Sequence, residues 1–477
     1  QKVGNKPYIS VNYTFDGLTP AGLPEDLCYK LNQYYEQKLR QDKTAHVKIE
    51  FEIIFNTYDF MTDTRLKELA EYGFDDVEIS QLRNALFEIA KQTLEHYDEI
   101  CEEDLRSLGQ LTELRHELRK HSPLAETNVM KLYSYIDELL DSIKDHGTPQ
   151  FTRQARCAFM ARSFCRTLVE KGYFTKQEMD DFMLSIPTVA SEFERDFDLY
   201  SHGKLSRDDF NHLYGHLRLG TYDIRSDSYR NIYFDVASAN LTGNNKVKQE
   251  AKSLDLERLQ VALDEAGIPV TPEKFIEFIK KATQNREYFK FEFTKSLSLM
   301  LDVIVKLGEV MAIAREDMSY LEIQDLLSYH SRDSYIQTIE TRRRFYHVNS
   351  YLVLPEVIFD VGDIDVIDID EARPNFITNK VVEAPIVNLD EDHDSDITGK
   401  IVVLTKADPG YDWIFAKDIA GFVTKYGGAA SHMAIRCAEF GIPAAIGCGE
   451  KIYQRIHRMQ IMCLDCENGR ITEKQSQ

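Results

Sequence analysis

The sequence predicts an α+β protein of several domains, with a largely α-helical region followed by a compact α/β domain. From about residue 64 to residue 344 apolar residues recur at spacings of three and four, as in the run from Leu82 to Ile100. Beyond residue 380, short apolar runs typical of strands alternate with amphipathic helices. An acidic, irregular stretch separates the two patterns, so we expect two cores joined by a linker.

Changes in the spacing of apolar residues divide the chain into four segments. The predicted segments are a mixed α/β opening segment at 1–63, a helical domain at 64–345, a linker at 346–379 and an α/β domain at 380–477. In the opening segment we expect strands at 8–15 and 49–58 around a helix at 25–40. The linker starts with a β-rich run at 348–354, and we place its hinge around 373–379.

Composition limits the class of protein. A hydrophobic content of 43% and no apolar run near the length of a membrane span predict a cytoplasmic protein with no membrane partner. The net charge of −22 argues against nucleic acid as a partner, because a polyanion is repelled by such a surface. The eight cysteines are scattered, and we expect them to be reduced and to hold no metal.

The segment from Thr424 to Gly447 carries the clearest chemical signal. Gly427 and Gly428 form a turn that permits positive φ, Ser431 can cap a helix, and His432 opens that helix. Unpaired backbone N–H groups and the helix dipole favour negative charge at this end of a helix. His432 is therefore a candidate phosphoryl carrier, although spacing alone is equally compatible with a merely exposed histidine.

The sequence of this segment resembles the signature of the mobile phosphohistidine domain of the PEP-utilising enzymes, which reads T-x-x-G-G-x-x-S-H-x-A-I-x-A-R-E-x-G-I-P-A-x-x-G. The matching residues are Thr424, Gly427, Gly428, Ser431, His432, Ala434, Ile435, Glu439, Gly441, Ile442, Pro443, Ala444 and Gly447. One departure is Ala438, where the family usually has Arg, with Arg436 two places earlier. The departure leaves the implied carrier role of His432 intact.

The resemblance implies a relay between two sites. In such enzymes an ATP-grasp domain binds ATP and Mg²⁺, releases AMP and phosphate, and phosphorylates the histidine; the small domain then swivels to an acceptor. The sequence has no P-loop or kinase glycine-rich loop, so we expect the ATP-grasp domain outside this chain, in cis or in trans. Few residues follow His432, which leaves no room for a pyruvate-binding barrel, so we expect the acceptor site within residues 1–345.

A second signal lies at Tyr214 to Asp223, YGHLRLGTYD, which glycines prevent from being a regular helix throughout. It resembles a G-H-x-R-x-G-x-x-D element of the acceptor domain in the same family. The resemblance makes His216 a candidate base for the acceptor, and Arg218, Tyr222 and Asp223 candidate acceptor-binding residues. The alternative is a capping histidine with a surface ion pair between Arg218 and Asp223.

A third candidate is Arg156, on an arginine-bearing helix otherwise rich in Ala, Phe, Met and Cys. At least one guanidinium there must be partly buried, and a buried cation needs an anion from the protein or from a ligand. We predict acceptor binding by Arg156, with a structural ion pair as the alternative. Weaker candidates are Lys290 and Lys295, which are expected to face one cavity.

The acceptor is predicted from a further resemblance. Resemblance to the L-glutamine kinase-like branch suggests an amide nitrogen of L-glutamine or a similar polar metabolite. The alternatives are a rifamycin-type antibiotic, or a phosphocarrier protein that lacks catalysis of its own and serves a partner in trans.

Overall fold

The computed structural model describes residues 2–218, 222–231, 253–349, 354–360, 363, 374–391, 395–407, 409–429 and 431–474. Within these residues a largely helical region precedes a C-terminal domain built on a mixed sheet, which confirms the predicted fold class. No helix in this part of the chain combines the length and the apolar character needed to cross a bilayer.

The helical region contains fourteen α-helices in its described part. They are α1 (Val11–Leu18), α2 (Glu25–Gln41), α3 (Thr62–Arg65), α4 (Asp76–Lys120), α5 (Val129–His146), α6 (Thr148–Glu170), α7 (Lys176–Leu184), α8 (Val189–Ser201), α9 (Arg207–Tyr214), α10 (Leu256–Ala266), α11 (Pro272–Val310), α12 (Arg315–Met318), α13 (Ile323–Leu327) and α14 (Arg332–Asn349). Two short strands, β1 (Lys2–Val3) and β2 (Lys6–Pro7), pair at the start of the chain.

Helix α4 shows how the sequence sets these elements. Asp75 and Glu78 form a reciprocal capping box at its start, and the helix runs 45 residues with a kink at His96. Leu82 and Leu86 are completely buried, as the apolar period predicts. Helices α4, α5 and α6 pack against α11, and two apolar clusters fill the spaces between them.

The strands predicted for the opening segment were wrong. Residues 11–18 form helix α1, and Ile49–Ile53 is a single π-helical turn. Phe15 and Ile53 are both buried in the helical core, so tertiary packing overrides the β-propensity of these apolar runs. The helix predicted at 25–40 is confirmed as α2.

The linker prediction falls partly outside the described residues. Of the β-rich run predicted at 348–354, residues 348 and 349 end helix α14, and 350–353 lie beyond the described part. Of the predicted hinge at 373–379, Arg373 is also outside it, whereas Asn375–Ile377 forms a strand of the C-terminal sheet.

The C-terminal sheet has seven strands in the order β3, β7, β6, β5, β4, β8, β9. They are β3 (Asn375–Ile377), β4 (Val381–Asn388), β5 (Ile401–Lys406), β6 (Gly421–Tyr426), β7 (Ala444–Ile446), β8 (Ile461–Asp465) and β9 (Arg470–Glu473). Strands β4 to β7 pair in parallel and the outer pairs are antiparallel. Helices α15 (His432–Phe440) and α16 (Gly449–Ile456) accompany them, so the central strands are covered by apolar clusters.

Candidate functional site

His432 stands at the first position of helix α15, directly after the turn that follows strand β6. Ser431 caps the helix, its Oγ accepting from the backbone N–H of Ala434 at 3.4 Å. Gly441 closes the helix in the left-handed conformation with φ 64°. The predicted cap, helix and stop are confirmed, and 42% of the His432 side chain is exposed at the positive end of the helix dipole.

The turn before His432 is closely packed on one side and open on the other. Gly427 has φ 136°, and a Cβ built on it would lie 2.7 Å from the Cβ of Ala407. Gly428 has nothing within 4 Å of its Cβ position. Thr424, fully buried on β6, accepts through Oγ1 from the N–H of Gly447 at 3.2 Å. These contacts fix the base of the turn and leave Gly428 facing open space.

We therefore expect Gly427→Ala to destabilise the C-terminal domain and Gly428→Ala to leave it nearly unchanged. At Gly427 the substitution combines an unfavourable φ with a steric clash, and such strain costs on the order of 1–3 kcal/mol. Thermal unfolding of both variants would measure this. Equal melting temperatures for the two variants would contradict the described packing of the turn.

Asp412 is the immediate partner of His432. Its Oδ2 lies 2.7 Å from Nε2 of His432, and the carboxylate comes from the 3₁₀ turn Pro409–Ala416. Oδ1 of Asp412 is 3.7 Å from Nε of Arg436, and neither of these two buried atoms has a hydrogen-bond partner in the described part of the chain. A phosphoryl group on Nε2 would meet the negative Asp412, so this contact belongs to the unloaded histidine.

The C-terminal domain contacts the loop that follows α9. Tyr229 donates through its hydroxyl to the carbonyl of Gly410 at 2.8 Å, two residues before Asp412. Lys406 donates to Asp223 at 2.8 Å. Tyr229 also belongs to the apolar cluster that covers one face of the sheet. In this structure the domain carrying His432 is therefore docked on the loop that carries His216.

Arg436 of the C-terminal domain also lies close to the helical region. Its guanidinium lies 3.7 Å from Glu194 on α8 and stacks on the ring of Phe440 at 4.7 Å. The sequence has Ala438 at the place of the usual family Arg. Arg436 thus supplies a cationic group facing the helical region where Ala438 cannot.

His216 lies in the helical region with only 7% of its surface exposed. Its ring packs edge to face on Phe291, with centroids 4.6 Å apart, and its Nε2 has no hydrogen-bond partner among the described residues. Burial, followed by the charges of Lys295, Arg115 and Arg230, lowers the pKa of His216 to about 3. The ring is therefore neutral at pH 7, and its buried Nε2 is left without a hydrogen bond in the described chain.

This pKa predicts a pH dependence of stability. Because the pKa of His216 falls from 6.5 to about 3 on folding, the unfolded chain binds a proton between those values that the folded chain does not. We expect stability to decline as pH falls through this window, and His216→Gln to flatten the decline. Urea midpoints measured from pH 7 to pH 4 would test this, and an unchanged slope in the variant would contradict it.

Arg218 is buried and fully engaged within the protein. Its guanidinium donates to Oγ and the carbonyl of Ser298 at 3.1 and 3.0 Å, to the carbonyl of Ser226 at 2.7 Å, and to Asp302. The alternative of a surface ion pair with Asp223 was therefore wrong, since Asp302 is the partner. The acceptor-binding role of Arg218 stays a prediction, and its contacts here hold the loop on α11.

We expect Arg218→Ala to lower the stability of the helical region by about 3–5 kcal/mol, because it leaves Asp302 without its buried partner. The matched control is Arg106→Ala, an exposed position on α4, where a change within about 0.5 kcal/mol is expected. Urea unfolding followed by circular dichroism would compare them. Similar midpoints for both variants would contradict the structural role.

The remaining predicted residues lie in two places. Tyr222 has φ 58°, and the neighbouring Asp223 binds both Arg225 and Lys406. Burial alone would raise the pKa of Asp223, but hydrogen bonds from Arg225 and Lys406 lower it below its usual value. Residues 219–221 of this loop lie outside the described part. The acceptor-binding roles of Tyr222 and Asp223 stay predictions.

Arg156 faces a cavity of about 820 Å³ between α1, α4 and α6. Its guanidinium donates to the carbonyls of Gly17 and Leu18 at 3.2 and 3.1 Å, and its Nε has no partner in the described chain. Backbone carbonyls thus take the place of the anion expected for a buried arginine. Acceptor binding by Arg156 stays a prediction.

Comparison with known proteins agrees with this geometry. Residues 397–469 match the family described as "PEP-utilising enzyme, mobile domain". The matched segment contains the strands and the helix that present His432, so this part of the chain is similar to the mobile domain of the PEP-utilising enzymes.

Two particular relatives are rifampicin phosphotransferases. The protein from Bacillus subtilis (strain 168) is 28% identical over 222 residues, which are 42% of this chain and 24% of the relative. The protein from Bacillus cereus is 26% identical over 212 residues, which are 40% of this chain and 24% of the relative. The matched segment therefore spans about a quarter of the length of each relative.

Sequence reasoning did not identify several residues that the structure brings to these sites. Asp412 is separated from His432 by 20 positions. Arg115 lies on α4 and Arg230 lies on the loop that follows α9. Only folding places both residues around His216. Lys295 was a weak candidate, and it lies with its ammonium 4.7 Å from the ring of Phe291.

Proposed function

We propose that this chain is the acceptor and carrier portion of an ATP-dependent phosphotransferase that works through phosphorylated His432. The observation that carries the proposal is the position of His432, solvent-accessible at the start of α15 within the matched mobile domain. Free N–H groups at a helix start bind phosphoryl oxygens, and Gly428 leaves space for the group. Together these features support a residue that receives and releases a phosphoryl group.

The first half-reaction requires ATP and Mg²⁺, which we assign to an ATP-grasp domain outside this chain. An imidazole nitrogen of His432 bonds to the β-phosphorus as the bond to the α-phosphate oxygen breaks, and AMP leaves. The γ-phosphoryl group passes to water and leaves as phosphate. Asp412 must release Nε2 if that nitrogen is loaded, and Arg436, 3.7 Å away, is the nearest described cation for the freed carboxylate.

In the second half-reaction the docked domain delivers the phosphoryl group to an acceptor in the helical region. The acceptor nucleophile bonds to phosphorus, the N–P bond breaks, and the nitrogen of His432 keeps the electron pair. His216 has an unpartnered Nε2 and is proposed to take the proton of the acceptor. Such transfers depend on alignment and charge neutralisation more than on covalent chemistry, which suits a site with several cations.

A polar metabolite such as L-glutamine is our preferred acceptor, with its amide nitrogen as the nucleophile. The relatives named rifampicin phosphotransferase support the rifamycin alternative and give no support to glutamine. A phosphocarrier that serves a partner in trans is the remaining alternative, and it predicts a loaded His432 without acceptor turnover.

The test uses the full-length gene product with ATP labelled separately at the β- and γ-phosphates. We expect the β-label on the protein, stable in base and lost in acid, and the γ-label in free phosphate. L-Glutamine or rifampicin should then accelerate AMP release. Formation of ADP with retention of the γ-label would refute the two-step mechanism, and loading without response to any acceptor would favour the phosphocarrier.

A further inference from the structure

A group of cations surrounds the buried His216. Arg115 donates to Oε2 of Glu292 at 3.2 Å and to Oγ of Ser296 at 3.0 Å. Lys295 donates to the other oxygen of the same carboxylate. Glu292 thus serves two cations, and the side chain of Arg115 is buried with 6% exposure. Arg115, Lys295 and Glu292 therefore form one ion-pair cluster, and the charges of Arg115 and Lys295 act on His216.

Two further arginines, Arg119 and Arg230, lie near this cluster. Arg119 follows Arg115 by one turn on the same face of α4, and both Arg119 and Arg230 are exposed. The backbone N–H of Arg230 donates to the carbonyl of Gly215 at 3.1 Å, which places Arg230 beside His216 in the folded loop. Partial burial and then the charge of Arg230 lower the pKa of Arg119, so the two guanidinium groups repel each other. No ion pair of either arginine is recorded within the described chain.

Such a cluster of cations is unexpected in a protein whose net charge is −22. Glu292 pairs with only Arg115 and Lys295, and the repulsion between Arg119 and Arg230 is unfavourable unless an anion joins them. Guanidinium groups bind carboxylate and phosphate with paired hydrogen bonds. Nε2 of His216 is left without a partner inside the same group. A negatively charged ligand would offset the unpaired positive charge of Arg119 and Arg230.

We propose that Arg119 and Arg230 bind an oxyanion carried by the acceptor, so that the acceptor is a small molecule bearing a carboxylate or a phosphate. This inference rests on the proposed function and specifies its acceptor class. The oxyanion lies between the two arginines, close to the buried His216. Tyr229, next to Arg230, contacts the carrier domain at Gly410, so the phosphoryl group arrives at the same loop.

The bound anion also makes His216 a stronger base. The charges of Lys295, Arg115 and Arg230 oppose protonation of His216 after burial has done so. A negative ligand offsets those charges, and the affinity of Nε2 for a proton rises when the ligand is bound. A neutral, bulky apolar acceptor would lack this effect and would leave both exposed arginines unpaired.

The test measures protection of arginines in the full-length protein. Phenylglyoxal modifies free guanidinium groups, and mass spectrometry gives the rate at each position. The probes are succinate for a carboxylate, glycerol 3-phosphate for an organic phosphate, and inorganic phosphate for the transferred phosphoryl group. Arg106, exposed on the same helix, is the internal control.

We expect succinate or glycerol 3-phosphate to slow modification of Arg119 and Arg230 about threefold at a concentration near twice the Kd, with Arg106 unaffected. The organic anion that protects identifies the class of oxyanion. Arg119→Gln should remove the protection of Arg230, whereas Arg106→Gln should retain it. Both positions are exposed, so folding is not at risk.

Other outcomes overturn the inference. Absence of protection, equal protection of Arg106, or protection by inorganic phosphate alone would each remove the acceptor oxyanion; the last would assign the arginines to the transferred phosphoryl group. Failure of the proposed function is separate, because it appears as absence of the β-label on the protein. Protection without that label would leave an anion site in a protein with no phosphohistidine step.

Discussion

Replacing His432 by Asn is expected to abolish the acid-labile β-label and all acceptor-dependent release of AMP. Asn preserves a short polar side chain at the start of α15 but has no nucleophilic nitrogen, so no covalent intermediate can form. We expect a loss of at least about 10³-fold, since no other group in the site can replace a covalent carrier. Filter binding after base treatment measures the label directly.

The matched control is His457→Asn in the same domain, where the imidazole lies 3.4 Å from Glu391 and takes no part in the proposed reaction. It should load like the natural protein. Label retained in the His432 variant at the natural level would place the phosphoryl group elsewhere. Circular dichroism of the two variants separates loss of chemistry from loss of fold.

Replacing His216 by Gln is expected to separate the two half-reactions. Loading of His432 should continue, because His216 lies in the helical region and not in the carrier domain. Transfer to the acceptor should slow by about 10²–10⁴-fold, the usual contribution of a general base. Rapid-quench measurement of β-label leaving the protein, with L-glutamine or rifampicin as acceptor, gives both rates.

His202→Gln, an exposed histidine at the end of α8, is the control for this variant. Its transfer rate should match that of the natural protein. If His216→Gln transferred at the natural rate, the buried histidine would be a packing residue beside Phe291 and the acceptor base would have to be another group. Reduced loading in the same variant would instead indicate that docking of the carrier domain depends on this loop.

Helix α15, which begins at His432, was predictable from the sequence because its determinants are local. Ser431, Gly441 and Pro443 act within a few residues of the helix ends, and the paired glycines mark the turn that precedes them. The same holds for the capped helix α4 and the short strands of the C-terminal sheet. Local backbone preferences and hydrophobic period agree at these positions.

The surroundings of the two histidines were not predictable in the same way. No local motif marks Asp412 or Arg115 in the sequence. Only folding places Asp412 beside His432 and Arg115 in the cluster around His216. The strands predicted for the opening segment were wrong for a related reason. Its apolar runs have strand-like composition, but burial of Phe15 in a helical core decides their conformation.

The most direct test of the central claim follows the phosphoryl group from one site to the other. Protein loaded from β-labelled ATP is freed of nucleotide and mixed with L-glutamine or rifampicin in a rapid-quench apparatus. We predict that label leaves His432 and appears in the acceptor one for one, without added ATP. Label that stays on His432 while the acceptor is phosphorylated only when ATP is restored would contradict the carrier role.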